Sequence, residues 1–240
     1  MKMSNNPLCA IEISRQQIET EELKKELGKY IYLINNVRQA KVSGTSEFRD
    51  VYHNFFTFRG KLAKWEVFLK YCEYMQECVK KNRVEFKEIL GRLHDDCKIV
   101  TPVFSSKLLS MLNPDMPVWD SVVVKNLGLE KEKPKHHYLY QGKKYPNIDE
   151  LDEFYSKICS IYEDFFSRRK TDVKKWTDFF DRKIFNDWYN EYIRDDRGTG
   201  DIWKICISWF REKKLSKEKI RASITDVKIV DLLLWQSREQ

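Results

Sequence analysis

Apolar residues recur along most of this chain at the spacing of an α-helix, three or four positions apart. The clearest pattern covers residues 151–165, and Asn147 and Glu150 stand before it as a capping box. The same spacing recurs over residues 18–37, 51–56, 62–79, 86–93 and 176–188. Residues 202–210 form a strongly apolar run that we also interpret as helix. The sequence therefore predicts an all-α fold, mostly helical, with two packed lobes and a cleft.

One segment departs from the helical pattern. Near residues 138–145, alternating tyrosines before Gln141 and Gly142 predict a small β-hairpin or an extended loop. The neighbouring His136 and His137 are interpreted as surface residues. A chain of 240 residues suits one domain, 1–240, or two closely packed lobes. The lobes would comprise about 40–130, and 1–39 together with 147–240.

Residues 101–129 contain the most informative local pattern. Four apolar residues give a first short helix its buried face: Phe104, Leu108, Met111 and Leu112. Ser105 and Ser106 can cap the start of this helix, which places Lys107 in its first turn. Pro114 and Pro117 then end the helix and fix a tight connection.

Asp120 opens a second helix, which buries Val123, Val124 and Leu127 and ends at Gly128. Two interpretations of Asp120 compete. It can be an N-cap that accepts hydrogen bonds from free backbone amides, or a fixed carboxylate that faces a pocket and stabilises positive charge on a sugar. Spacing alone favours the cap, and it favours a solvated lysine for Lys107.

This order of elements resembles the helix-hairpin-helix DNA glycosylase superfamily. It is most similar to the archaeal-type and bacterial branches of the oxidised-guanine glycosylases, in which a K-E-A-S-H-F-L-R-N helix precedes A-I-L-D-R-H-I. The counterparts here are SSKLLSMLN at 105–113 and PVWDSVV at 117–123. VDLLLWQ at 230–236 is similar to the L-D-L-x-x-W-Y end of those enzymes. The resemblance covers mainly residues 98–129 and the last dozen residues.

The resemblance implies a protein that flips a damaged or modified base out of double-stranded DNA and cleaves its N-glycosidic bond. Asp120 would stabilise the sugar cation, and Lys107 would be a nucleophile if it reaches the sugar, which adds strand-nicking lyase activity. Oxidised guanine is the first expectation for the base. The expected walls of the base pocket are Phe104, Trp119 and Trp235, and the expected DNA contacts are Lys98, Ser105, Ser106, Lys125, Lys213 and Lys214.

The sequence departs from the family pattern in three ways. The family's glycine-rich hairpin is replaced by residues 98–103, KIVTPV, which contain no glycine to allow close approach of a phosphate. When the motifs are aligned, the catalytic lysine falls on Ser105, and Lys107 is turned from it by about 200° on a helix. The loop before Asp120 is also shorter. Three alternatives therefore stay open: a DNA-binding protein without the chemistry, a glycosylase for modified viral bases, and a helical interaction protein.

The net charge indicates whether the chain can bind nucleic acid, and the spacing of its cysteines indicates whether it can hold a metal. The chain has a net charge of +7, and residues 211–221 carry six basic and two acidic residues, either a phosphate-facing strip or a solvated helix face. The six cysteines form no C-x-x-C pair and have no zinc-like spacing with histidine. We expect free thiols, no metal, no iron–sulfur cluster and no cofactor. Without a signal peptide or a long apolar run, the sequence predicts a cytoplasmic, nucleoid-associated monomer with no membrane contact.

Overall fold

The computed structural model describes residues 20–37, 46–57, 64–81, 83–134, 147–195 and 200–236. The described residues contain helices and no β-strand, so the predicted all-α class is confirmed. The first six helices are α1 (Thr20–Asn36), α2 (Ser46–Phe56), α3 (Trp65–Val79), α4 (Phe86–Cys97), α5 (Pro102–Leu112) and α6 (Ser121–Asn126). The predicted β-hairpin near 138–145 lies outside the described residues.

The second half of the chain begins with the helix that the sequence predicts most clearly, at 151–165. The helices are α7 (Ile148–Arg168), α8 (Lys170–Phe180), α9 (Asp201–Lys213), α10 (Lys217–Ala222) and α11 (Asp226–Gln236). Helix α8 continues without interruption through Asp181–Phe185, Asn186–Trp188 and Tyr189–Arg194, where the first and third segments are π-helical. The apolar run at 202–210 lies inside α9, as predicted. No described helix has the length and apolar character needed to cross a membrane.

Two helix starts show how local chemistry sets the element boundaries. Asn147 caps α7, and its side-chain oxygen accepts a hydrogen bond from the Asp149 amide at 3.0 Å. Helix α5 begins three residues before the predicted caps, because Pro102 suits the first helical position and Thr101 caps it through the Phe104 amide. Caps at Ser105 or Ser106 were therefore wrong.

One core joins helices from both predicted lobes. Helix α4 packs against α5 and α7, α6 packs against α11, and α1 packs against α2, α5 and α9. The contact of α1 with α9 depends on Gly28, since a Cβ atom there would lie 2.5 Å from a ring carbon of Trp203. This close packing brings α1 alongside the segments that carry Lys107 and Asp120.

Candidate functional site

A cavity of about 600 Å³ lies among α1, the end of α2, α5, the start of α6 and α11. It is lined by four of the predicted site residues, namely Phe104, Lys107, Asp120 and Trp235. Phe104 and Lys107 lie on α5, Asp120 precedes α6, and Trp235 lies more than 100 residues later, on α11. The cavity also borders segments from both predicted lobes, and its volume falls within the range of about 300–1,000 Å³ typical of small-molecule sites.

Asp120 is both an N-cap and a cavity residue. Its Oδ1 accepts a hydrogen bond from the Val122 amide at 2.8 Å, and its backbone is extended, as a cap requires. The side chain is half-buried and lines the cavity. Its Oδ2 makes no hydrogen bond to any described residue. One oxygen therefore fixes the carboxylate, while the other remains available to a ligand.

Lys107 lies in the middle of α5, so its predicted first-turn position was wrong, and its half-buried side chain lines the cavity. Its Nζ lies 4.7 Å from the ring centroid of Phe104 and 5.0 Å from that of Phe56. The same Nζ donates a hydrogen bond to the Phe56 carbonyl at 3.3 Å. These contacts hold a cation between two aromatic rings in the cavity wall.

Ser105, the position that aligns with the family's lysine, faces the protein core. It is 0% exposed, as is Ser106. The Ser106 hydroxyl donates to the Val103 carbonyl at 2.8 Å and accepts from the Trp119 amide at 2.9 Å. The prediction that these two serines contact DNA is therefore corrected, because neither reaches the surface.

Trp119 also differs from the prediction. It is 0% exposed, stacks on Phe86 with ring centroids 6.0 Å apart, and packs against Phe154 at 4.7 Å. It does not line the cavity. The residues on either side of it, Val118 and Asp120, line the cavity, and the Trp119 ring lies on the opposite side of the chain, in the core. Trp119 is therefore a core residue that anchors the loop before Asp120.

A buried ion pair holds the backbone of that loop. Lys228 and Asp231 on α11 are 2% and 6% exposed, and their side chains lie 2.7 Å apart. The Lys228 ammonium donates to the Met116 carbonyl at 2.8 Å, and Asp231 accepts from the Val118 amide at 3.1 Å. Both charges are thus paired and bonded to the main chain, as buried charges require.

Three hydroxyl groups add hydrogen bonds to this loop or to Asp231. Together with Lys228 and Asp231, the residues that carry them, Tyr155, Tyr162 and Thr225, form what we call the clamp on the loop. Tyr155 donates to the Pro117 carbonyl at 2.7 Å, and Thr225 donates to the Pro114 carbonyl at 2.9 Å. Tyr162 donates to Asp231 at 2.7 Å. Burial, together with the Asp231 carboxylate, holds the pKa of Tyr162 well above its usual range, so its hydroxyl stays a donor. Residues from α7 and α11 therefore position the segment that presents Asp120.

The other predicted DNA contacts lie on the surface. Lys98, Lys125, Lys213 and Lys214 are all exposed. Lys98 ends α4 in the left-handed region, with φ 52°, and Lys214 ends α9 in the same way, with φ 47°. Their contact with DNA stays a prediction.

Nine polar residues of the cavity were not among the predicted site residues: Glu22, Glu26, Tyr30, Asn54, Thr57, Ser110, Ser121, Lys228 and Asp231. The three on α1 are four positions apart and form one stripe of the helix. Burial is the largest influence on Glu26 and raises its pKa, against the opposing effect of Lys29. Two features of the sequence could have pointed to the cavity residues on these helices: the polar positions spaced four apart on α1, and the two charged residues within the otherwise apolar α11.

Among the described residues, no group of three histidine, cysteine, aspartate or glutamate side chains could hold a metal ion. The described cysteines are free thiols. The sequence matches no protein-family model and no curated protein, and the structure matches no solved structure. The function of the cavity must therefore be argued from its own residues.

Proposed function

We propose that this protein is a DNA N-glycosylase that receives a single flipped base in the cavity and hydrolyses its bond to deoxyribose. The observation that carries the proposal is the meeting of Asp120, Lys107, Phe104 and Trp235 in one cavity. A base cannot be attacked inside a stacked duplex, so such an enzyme needs an aromatic-lined recess next to its catalytic carboxylate. The cavity supplies both.

Asp120 is suited to stabilise the positive charge that develops on the sugar as the glycosidic bond breaks. A carboxylate acts best when it is fixed before the reaction, since no reorganisation is then needed. Here the Val122 amide fixes one carboxylate oxygen at 2.8 Å, and the clamp from α7 and α11 fixes the preceding loop. The second oxygen can also orient the water that attacks the sugar carbon.

The surroundings of Lys107 favour hydrolysis over a lyase mechanism in which the lysine attacks the sugar. A nucleophilic lysine must be neutral when it attacks. The faces of the Phe56 and Phe104 rings attract the charged ammonium, and the Phe56 carbonyl accepts a hydrogen bond from it. We therefore expect Lys107 to act as a fixed cation beside the flipped nucleotide, and the product to be an abasic site.

The exposed lysines Lys98, Lys125, Lys213 and Lys214 are the expected phosphate contacts, in line with the net charge of +7. Double-stranded DNA is the proposed partner, and base excision in the cytoplasm or at the nucleoid is the proposed setting. Oxidised guanine is the first expectation for the base, and a modified viral base is the alternative.

Two observations favour a second function, a DNA-binding protein without the chemistry. The connection from α4 to α5 has no glycine, and Ser105, the position that aligns with the family's catalytic lysine, is buried in the core. Under this alternative the cavity would hold a base without releasing it.

A panel of duplexes that each carry one altered base separates these functions. Each duplex is incubated with the protein, and strand cleavage is measured with and without later treatment with alkali. We expect cleavage of at least one duplex only after alkali, because hydrolysis leaves an abasic site that alkali breaks. Cleavage without alkali would contradict the expected role of Lys107. Binding without release from any duplex would favour the second function.

A further inference from the structure

Hydrogen-bond donors exceed acceptors at the end of the cavity next to Asp231. The Lys228 ammonium has three N–H groups. One donates to the Met116 carbonyl at 2.8 Å and one to Asp231 at 2.7 Å. The third has no partner in the part of the chain that the structure describes, although Lys228 is 2% exposed and lines the cavity.

Tyr30 provides a second donor in the same cavity wall. It is 2% exposed, and its hydroxyl has no hydrogen-bond partner among the described residues. Burial raises the pKa of Tyr30 well above its usual range, and the Asp231 and Asp115 carboxylates add to this effect. The hydroxyl therefore stays protonated, and Tyr30 lines the same cavity as Lys228.

The acceptors at this end are already engaged. Asp231 Oδ1 accepts from the Tyr162 hydroxyl at 2.7 Å. Asp231 Oδ2 accepts from Lys228 and from the Val118 amide at 3.1 Å. Buried donors in folded proteins are almost always paired, so two unmatched donors beside a cavity indicate an acceptor that the protein does not supply.

We propose that Tyr30 and Lys228 bind the carbonyl oxygen of the ligand, so that the cavity selects bases with an oxo group over bases with an amino group at that position. This inference rests on the proposed function and specifies the ligand of the same cavity. A carbonyl oxygen has two lone pairs and can accept from both residues. An exocyclic amino group would instead bring further donors against them, which leaves buried groups unpaired.

Matched pairs of free bases test this directly. Hypoxanthine and adenine differ at one position by an oxo or an amino group, as do uracil and cytosine. Dissociation constants are measured by calorimetry for wild-type protein, Tyr30→Phe and Tyr74→Phe. The comparison uses the ratio of the two constants within a pair. Tyr74 is the matched control, because it is similarly buried on α3 and does not line the cavity.

We expect wild type to bind the oxo member of a pair at least about 10-fold more tightly. Tyr30→Phe should reduce this preference by about 10-fold, while Tyr74→Phe leaves it unchanged. The unfolding temperature of Tyr30→Phe should be no lower than that of wild type, because the lost hydroxyl has no partner among the described residues.

Release of a base from the duplex panel is measured in parallel, so that failure of the proposed oxo preference can be distinguished from failure of the proposed glycosylase activity. Equal binding of both members of each pair, or a preference that survives Tyr30→Phe, would overturn this inference alone. Oxo preference without release from any duplex would support the inference as a property of the cavity and overturn the enzymatic proposal. No binding and no release would overturn both.

Discussion

The two oxygens of Asp120 have different surroundings, and this division underlies the proposed chemistry. Oδ1 accepts from the Val122 amide at 2.8 Å and caps α6. Oδ2 has no hydrogen bond to a described residue, and the side chain lines the cavity. The cap interpretation and the catalytic interpretation are therefore compatible, since the hydrogen bond that stabilises the helix also fixes the carboxylate.

Glu26 gives a prediction about pH at the scale of one side chain. Burial raises its pKa above the ordinary value of 4.5, so the folded protein binds this proton more strongly than the unfolded chain does. The free energy of unfolding should therefore fall as the pH rises from the pKa of Glu26 in the unfolded chain to its higher pKa in the folded protein. Glu26→Gln, which mimics the protonated form, should be more stable than wild type at neutral pH, and the two should converge toward pH 4.

Denaturant unfolding at several pH values measures this effect. Glu153→Gln is the control, because it removes the same charge from an exposed position on α7, whereas the charge of Glu22 contributes to the raised pKa of Glu26. A Glu26→Gln variant that is less stable than wild type at neutral pH would show that the ion pair with Lys29, at 2.6 Å, outweighs the cost of burial.

Predictions for single residues were correct where the adjacent residues in the sequence determine the local structure. Asp120 before an apolar helix predicts a cap, and the structure has one. It failed for Ser105, Ser106 and Trp119, because their burial depends on how α5 and its loop pack against the rest of the core. Lys107 was placed too close to the start of its helix, since Thr101 and Pro102 form an earlier start.

At the scale of elements, the loop between α5 and α6 is fixed by residues from two later helices. Tyr155 on α7 and Lys228 on α11 bind successive carbonyls of this loop, those of Pro117 and Met116. Displacing a catalytic group by about 1 Å can cost on the order of 100-fold in rate. The clamp is therefore a set of positioning contacts for Asp120.

Tyr155→Phe tests the clamp with the smallest change, because it removes only the hydroxyl that donates to Pro117. We expect the single-turnover rate of base release to fall about 10-fold or more, with DNA affinity unchanged. The free energy of unfolding should fall by about 1 kcal/mol. Tyr192→Phe is the control, since it loses a hydrogen bond to Glu21 away from the loop. Equal effects of both variants on the rate would contradict a positioning role for Tyr155.

The helices themselves were largely predictable, because amphipathic periodicity and caps are local signals. The pattern at 151–165 lies within α7, and the apolar run at 202–210 lies within α9. The π-helical segments at Asp181–Phe185 and Tyr189–Arg194 were not predictable from periodicity. They shift the helix by a fraction of a turn, which depends on packing against other helices.

At the scale of the whole molecule, the cavity exists only because distant segments pack together. Helix α1 contributes Glu22, Glu26 and Tyr30, and α11 contributes Lys228, Asp231 and Trp235. The sequence predicted an all-α protein with a cleft, yet it could not predict that α1 lines the cavity. The same helix also packs Gly28 closely against Trp203, and contacts of this kind join residues far apart in the chain.

The Asp120→Asn variant tests whether the Asp120 carboxylate takes part in cleavage of the glycosidic bond. Asparagine is as good an N-cap as aspartate, so α6 should keep its start while the charge is lost. Asp115→Asn is the matched control, because it removes the same charge from an exposed position in the same loop. Both variants should bind DNA as wild type does.

The decisive quantity is the single-turnover rate of base release from the best duplex of the panel. We expect this rate to fall by about 100-fold or more for Asp120→Asn and to stay unchanged for Asp115→Asn. Release by Asp120→Asn at the wild-type rate would contradict the account, because the carboxylate at the cavity wall would then have no part in the chemistry.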